Sequence, residues 1–177
     1  MSDNPTIAMR KGEELDVAAV DSHLKSELPG LKGEPLVRQF PSGASNLTYL
    51  LSYDNRELVL RRPPFGTKAK SAHSMVREYR VMNGLKPVYP AVPNTPLYTD
   101  DESIIGAEFY VMDKVEGVLL KDKIPPQWGF GEEQNRQLCL AIIDKLIELH
   151  QVDYEAIGLG DFGKPEGYIE RQVQGWN

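Results

Sequence analysis

"LTYLLSYDNRELVLRR", residues 47–62, is the stretch whose reading decides how this chain folds. Two runs rich in Leu, Tyr and Val are separated by Asp54-Asn55, a pair that suits a tight turn. An antiparallel pairing is predicted, with Leu58 and Leu60 pointing to one face and Val59 and Arg61 to the other. An arginine delivered to the same face as an apolar residue must find an anion, because a desolvated and unpaired guanidinium is costly. The other reading lets Arg61 and Arg62 emerge into solvent at the strand end, and this strand alone does not choose between them.

Working outward, "LVRQF" (36–40) adds a strand before the pair, giving an antiparallel meander. Pro63-Pro64 and Gly66 stop the last strand. "AHSMVREYRVMNGL" (72–85) then carries Met75, Tyr79 and Met82 at i, i+4 and i+7, which predicts a helix with one buried face. Glu78 lies three residues after Met75 and four before Met82, on or beside that face. A carboxylate so placed wants a cation, and Arg61 is the candidate; a solvated glutamate at a helix edge is the plainer alternative.

A proline-rich passage, "KPVYPAVPNTPLY", leads to a short strand near 95–99, a "DDES" turn and the apolar strand "AEFYVMDKV" (107–115). A long helix follows from about Glu132 to His150, with Leu138, Ile142, Leu146 and Leu149 on one side, and then a loop and a short helix. At the other end, residues 1–14 are polar and read as loose. Leu15, Val17, Ala18, Val20, Leu24 and Leu28 then form a rough helical stripe ended by Pro29-Gly30. The fold class is α+β.

The chain has 177 residues, enough for one domain with a real core or a small domain and part of a second. Its 26 acids against 20 bases give a net charge of −6, and no basic block is interleaved with aromatics, which argues against nucleic acid as a partner. No stretch approaches the roughly 20 apolar residues that cross a bilayer, and the first residues lack the apolar core of a secretion signal. A cytoplasmic protein with no membrane partner is expected. Cys139, the single cysteine, sits in the run "LCLAIIDKLIEL" and reads as a buried helix thiol. His23, His73 and His150 are scattered and suggest neither a metal site nor a triad.

Two loops add to the chemistry. In "PSGASN" (41–46) the small residues would let backbone N–H groups approach a phosphate, with side chains of Ser42, Ser45 and Asn46 as further donors; a hairpin turn explains the same string without a ligand. "FYVMDKVEG" (109–117) is an apolar strand that turns polar and ends in glycine, as a buried edge strand also would.

Taken in order, "FPSGASNLTYLL", "LVLRRPP", "REYRVMNGL", "FYVMDKVEG" and "GYIERQVQGW" resemble the aminoglycoside phosphotransferase-like group of small-molecule kinases. The similarity is greatest to the subgroup also found fused to acyl-CoA dehydrogenases, and runs from about Leu36 to the last residue. It implies a protein-kinase-like N-lobe, an antiparallel five-stranded sheet plus a helix, joined to the start of a helical C-lobe. The corresponding division is 1–30 for an N-terminal extension and helix, 31–113 for a nucleotide-binding lobe, and 114–177 for a linker and an incomplete second lobe.

Carried over by position, Ser42, Gly43, Ala44, Ser45 and Asn46 would cover the nucleotide and Val59 would pack on adenine. Arg61 would replace the usual strand lysine, with Glu78 as its helix partner. Met112 would stand at the start of the linker, and Asp113 and Val115 would offer backbone contacts to adenine. The implied reaction moves the γ-phosphoryl group of ATP, with Mg2+, to a hydroxyl of a small molecule. The subgroup points to a hydroxylated acyl thioester.

The departures from the family are two. Arginine is bulkier than lysine and forks its donors. The family's His-x-Asp loop, with an asparagine five residues on, and its separate metal aspartate are absent: "HQVDYEAIG" (150–158) sets His150 and Asp153 one residue too far apart and ends in glycine. No catalytic residue or metal ligand is therefore assigned to this chain, which alone is expected to be inactive. "GDFG" (160–163) precedes any place where such a loop could occur, so Asp161 is expected to be structural. The rival expectation is a non-catalytic nucleotide- or protein-binding module; an α+β domain with no nucleotide site is the third.

Overall fold

The computed structural model describes residues 6–41, 46–66, 74–120, 123–164 and 166–176. Its centre is one five-stranded antiparallel sheet in the order β1-β2-β3-β5-β4, formed by β1 (Leu36–Gln39), β2 (Leu47–Ser52), β3 (Glu57–Arg62), β4 (Leu97–Thr99) and β5 (Phe109–Asp113). The register pairs Tyr49 with Leu60 and Leu60 with Val111, so alternate residues of three strands build each face. Leu47, Tyr49, Leu51, Leu58, Leu60, Phe109 and Val111 make the core on one face.

Helix α1 (Val17–Glu27) covers that face with Val20 and Leu24, joined by Leu15 just before it. Asp16 starts the helix by accepting the Ala19 N–H at 3.0 Å, which satisfies a donor that the first turn leaves open. Ahead of it, residues 6–15 are tied down, contrary to the loose segment expected from their polarity. Ile7 bridges to Gln39 through both backbone groups, the Arg10 N–H donates to the Gln39 side chain at 2.9 Å, and the Tyr49 hydroxyl donates to the Glu13 carbonyl at 2.6 Å. Polar residues can pack by capping a sheet edge with hydrogen bonds, a pairing that hydrophobic periodicity does not register.

Helix α2 (Met75–Leu85) lies on the opposite face, its Met75 fully buried and its Tyr79 stacked on Tyr98 of β4 with ring centroids 5.4 Å apart. The expected turn at "DDES" holds a short helix, α3 (Glu102–Ile105). Asp101 accepts the Ser103 N–H at 2.9 Å, and Gly106 closes the turn at φ 75°, in the left-handed region. Arg62 runs from β3 toward this corner. At 3% exposure it is buried rather than solvated, donating to the Ile105 carbonyl at 3.1 Å with its guanidinium 3.8 Å from the centroid of the Phe65 ring.

Helices α4 (Glu132–His150) and α5 (Tyr168–Gly175) follow the sheet. The expected apolar stripe of α4 is present, but the described residues leave its middle uncovered: Ile142 is 60% and Leu146 50% exposed. Cys139 is exposed with it, which corrects the buried thiol read from the run around it. No helix among the described residues is long and apolar enough to cross a membrane.

Four phenols in and beside the sheet, three of them buried and Tyr98 half-buried, predict a specific alkaline limit. Burial pushes the Tyr49 hydroxyl up to about 12. Tyr53, Tyr98 and Tyr110 are raised as well, first by burial and then by the carboxylates of Asp21, Glu108 and Glu78. A raised folded pKa means that the neutral phenol is favoured by folding, so this stability is complete below the unfolded value of about 10 and is lost as pH rises above it. Urea unfolding should therefore give a level stability up to about pH 10 and a steep decline between about pH 10 and 12. A flat profile across that window would refute the burial of these hydroxyls.

Candidate functional site

Along β3 the side chains on the α2 face are Val59 and Arg61, as strand alternation requires. Across the sheet Val59 lies between Leu50 and Met112, while Arg61 lies between Thr48 and Tyr110, with Tyr98 beyond. Val59 and Leu50 are nearly buried and leave an apolar patch beside the charged row.

Glu78, in the first turn of α2, faces that row. Its Oε2 lies 2.8 Å from Arg61 Nε, and its Oε1 accepts from Arg61 Nη2 at 3.5 Å. Two further donors converge on the same carboxylate: Asn46 Nδ2 reaches Oε1 at 2.8 Å and the Tyr110 hydroxyl reaches Oε2 at 2.9 Å. Two strands and the residue just before β2 thus hold one helix carboxylate. Tyr110 is nearly buried and its phenol pKa is pushed up, mainly by burial and then by the Glu78 charge, so it stays a donor at neutral pH. Each partner of the ion pair is about one-third exposed, which leaves the outer side of the guanidinium open to a ligand.

The predicted pairing of Arg61 with Glu78 is in place, and Asn46 joins it. Ser42, Gly43, Ala44 and Ser45 lie outside the described residues. Tyr110 was missed by sequence reasoning; only the β3–β5 register, which sets it opposite Arg61, could have drawn attention to it.

Where β5 runs into the linker, charges fix its path. Asp113 pairs with Arg56 at 2.6 Å and accepts from Asn94 Nδ2 at 3.1 Å, and its backbone N–H donates to the Asn94 carbonyl at 2.9 Å. Lys114 is held between Glu57 and Glu116, the second at 3.0 Å, and these carboxylates raise its pKa. Met112 is half-buried behind this clamp, and Val115 beyond it is 62% exposed. Three ion pairs therefore hold in place the backbone that borders the Val59 patch.

The Asp-Phe-Gly string sits elsewhere. Asp161 pairs with Arg80 at 2.6 Å, which holds its carboxyl below the usual range, and Arg77 lies 4.0 Å from the centroid of the Phe162 ring. Arg80 is two residues past Glu78, roughly 200° round the helix. The string grips the flank of α2 away from Arg61 and contributes nothing to the charged row. Gly84 allows this approach: a side chain there would start 3.1 Å from the Ile157 carbonyl. Among the described residues no three His, Cys, Asp or Glu side chains cluster as a metal site.

Residues 36–177 match the family described as "Phosphotransferase enzyme family". Curated relatives include the acyl-CoA dehydrogenase family member 11 of Gallus gallus, 36% identical over 97% of this chain, and family member 10 of Mus musculus, 37% identical over 97%. The chain spans only 22% and 16% of their respective lengths. Among solved structures, a proposed aminoglycoside phosphotransferase from Ralstonia eutropha JMP134 is 33% identical with a TM-score of 0.74; the match covers 92% of this chain and 46% of that one.

Proposed function

Because this chain belongs to the phosphotransferase enzyme family, we propose that its sheet and α2 form the nucleotide-binding lobe of an ATP-dependent kinase that phosphorylates a hydroxyl of a small molecule. The observation that carries the reading is the Arg61–Glu78 pair on the sheet face beside Val59. A guanidinium fixed by a carboxylate on one side and open on the other can meet phosphate oxygens with its remaining donors. The neighbouring Val59 and Leu50 suit the flat apolar face of a base, and the linker from Asp113 to Val115 suits its polar edge.

ATP supplies the phosphoryl group, and this chain's residues bind and orient it. Ser42 to Asn46 are assigned to the covering loop on the family resemblance. Positioning and electrostatic stabilisation of the transferred group also need acidic residues that this chain lacks, so the catalytic loop and the Mg2+ ligands are assigned outside it. The relatives are named as acyl-CoA dehydrogenase family members, which supports an acceptor of acyl-thioester type in an enzyme joined to a dehydrogenase; the hydroxyl on that acceptor and a cytoplasmic location are part of the proposal.

Calorimetric titration of the protein with ATP and Mg2+ tests the reading, with saturable binding expected at roughly 1 μM to 1 mM. No heat at millimolar nucleotide from a protein that unfolds cooperatively would remove it. Binding without ATP consumption by any hydroxylated thioester, in a protein that carries the His-x-Asp loop, would leave a nucleotide-binding module instead.

A further inference from the structure

We propose that Tyr110 is a positioning residue for the phosphate-facing charge: it acts through Glu78 to aim Arg61. This rests on the kinase reading above and adds to it a residue that touches no ligand.

The argument is geometric. A carboxylate has two oxygens, and a glutamate free to rotate would let a paired arginine swing with it. Here one oxygen is pinned from β5 and the other from Asn46, the residue just before β2. The Tyr110 hydroxyl donates to Oε2 at 2.9 Å and Asn46 Nδ2 to Oε1 at 2.8 Å, so the carboxylate plane is fixed by groups other than Arg61. Arg61 Nε then sits 2.8 Å from the same oxygen that Tyr110 holds. Tyr110 itself is suited to the task, because it is directly opposite Arg61 in the β3–β5 register and only 2% exposed. A side chain locked by sheet packing can hold a charge more accurately than one on a loop.

The hydroxyl is otherwise poorly explained. A core facing α2 would accept phenylalanine at this position, and a buried phenol costs free energy unless it is bonded. Its bond goes to the carboxylate that, among the described residues, pairs with Arg61.

A double-mutant cycle tests the inference in the intact protein, reading the Kd for ATP with Mg2+ by calorimetry. Tyr110→Phe should weaken ATP by roughly 5–20-fold, and the same change in an Arg61→Gln background should have little further effect, because the hydroxyl then has no charge to aim. Should Tyr110→Phe fail to fold, Asn46→Ala removes the other bond that fixes Glu78; because Asn46 is also assigned to the covering loop, only the part of its loss that disappears in the Arg61→Gln background counts for the proposal. Equal losses in both backgrounds would make Tyr110 merely structural and overturn the proposal, as would unchanged affinity in both. If the unsubstituted protein binds no ATP, the kinase reading falls first and takes this inference with it.

Discussion

Replacing Glu78 by alanine is expected to weaken ATP binding by about 10–100-fold and to lower unfolding stability by roughly 1–3 kcal/mol. Both effects have one origin. The carboxylate receives Arg61, Asn46 and the Tyr110 hydroxyl, so its removal leaves a guanidinium without its anion and a buried phenol without its acceptor. The stability cost stays below that of a fully buried pair because each partner of the Arg61–Glu78 pair keeps about a third of its surface in water, where the charges are screened. Glu78→Gln separates the two effects in part: its single carbonyl oxygen can take the place of the one that accepts from Tyr110 or of the one that accepts from Asn46, but not of both, and the amide no longer neutralises Arg61. It should recover part of the stability and little of the affinity. Calorimetry with ATP and urea unfolding of both variants provide the check, and wild-type affinity in Glu78→Ala would eliminate the pair from any nucleotide site.

The pairing behind that expectation could be read before the fold was known, since it depends only on local periods. Strand alternation put Arg61 on the face opposite Leu58 and Leu60, and the helical period put Glu78 beside Met75 and Met82. The bounds of α4 followed the same logic, from Glu132 to His150. What local periods could not supply was a partner from a distant strand. Tyr110 joins the site through the β3–β5 register, about fifty residues removed in sequence, and Ile7 joins the sheet by bridging to Gln39. Cys139 fails for a related reason: an apolar run predicts a face that seeks burial, while burial itself depends on what lies opposite. The helix at 102–105 does carry a signal in the sequence, since Asp101 is a residue type favoured where a helix starts and its carboxylate accepts the Ser103 backbone N–H.

The Asp-Phe-Gly string shows how a motif can mislead when separated from its place in the fold. An aspartate acts on a metal only where other acidic or amide ligands converge, and Asp161 instead meets the guanidinium of Arg80. Its pairing with Arg80, and the ring of Phe162 against Arg77, dock residues 157–162 on α2, so the helix that presents Glu78 to the sheet is held from behind by the segment that follows α4. Position of Glu78 is thereby coupled to both sides of α2.

Deleting residues 1–30 is expected to abolish cooperative folding, although the family match begins only at residue 36. A peripheral extension could be removed at little cost, but this one supplies Leu15, Val20 and Leu24 to the core, with Leu24 fully buried. Burial of three such side chains contributes roughly 4–9 kcal/mol, against a total stability for an ordinary domain of about 5–15 kcal/mol. Deletion would also expose Leu58, Leu60, Phe109 and Val111 on the face that α1 covers, and strip the Tyr49 hydroxyl of the Glu13 carbonyl. A milder probe gives a graded answer: Leu24→Ala should cost about 2–5 kcal/mol, the range for emptying a buried leucine site. Thermal unfolding followed by circular dichroism distinguishes the cases. A truncated chain that still melts in one sharp transition near the midpoint of the whole chain would show that α1 is an accessory, and that the sheet and α2 alone can hold Arg61 against Glu78.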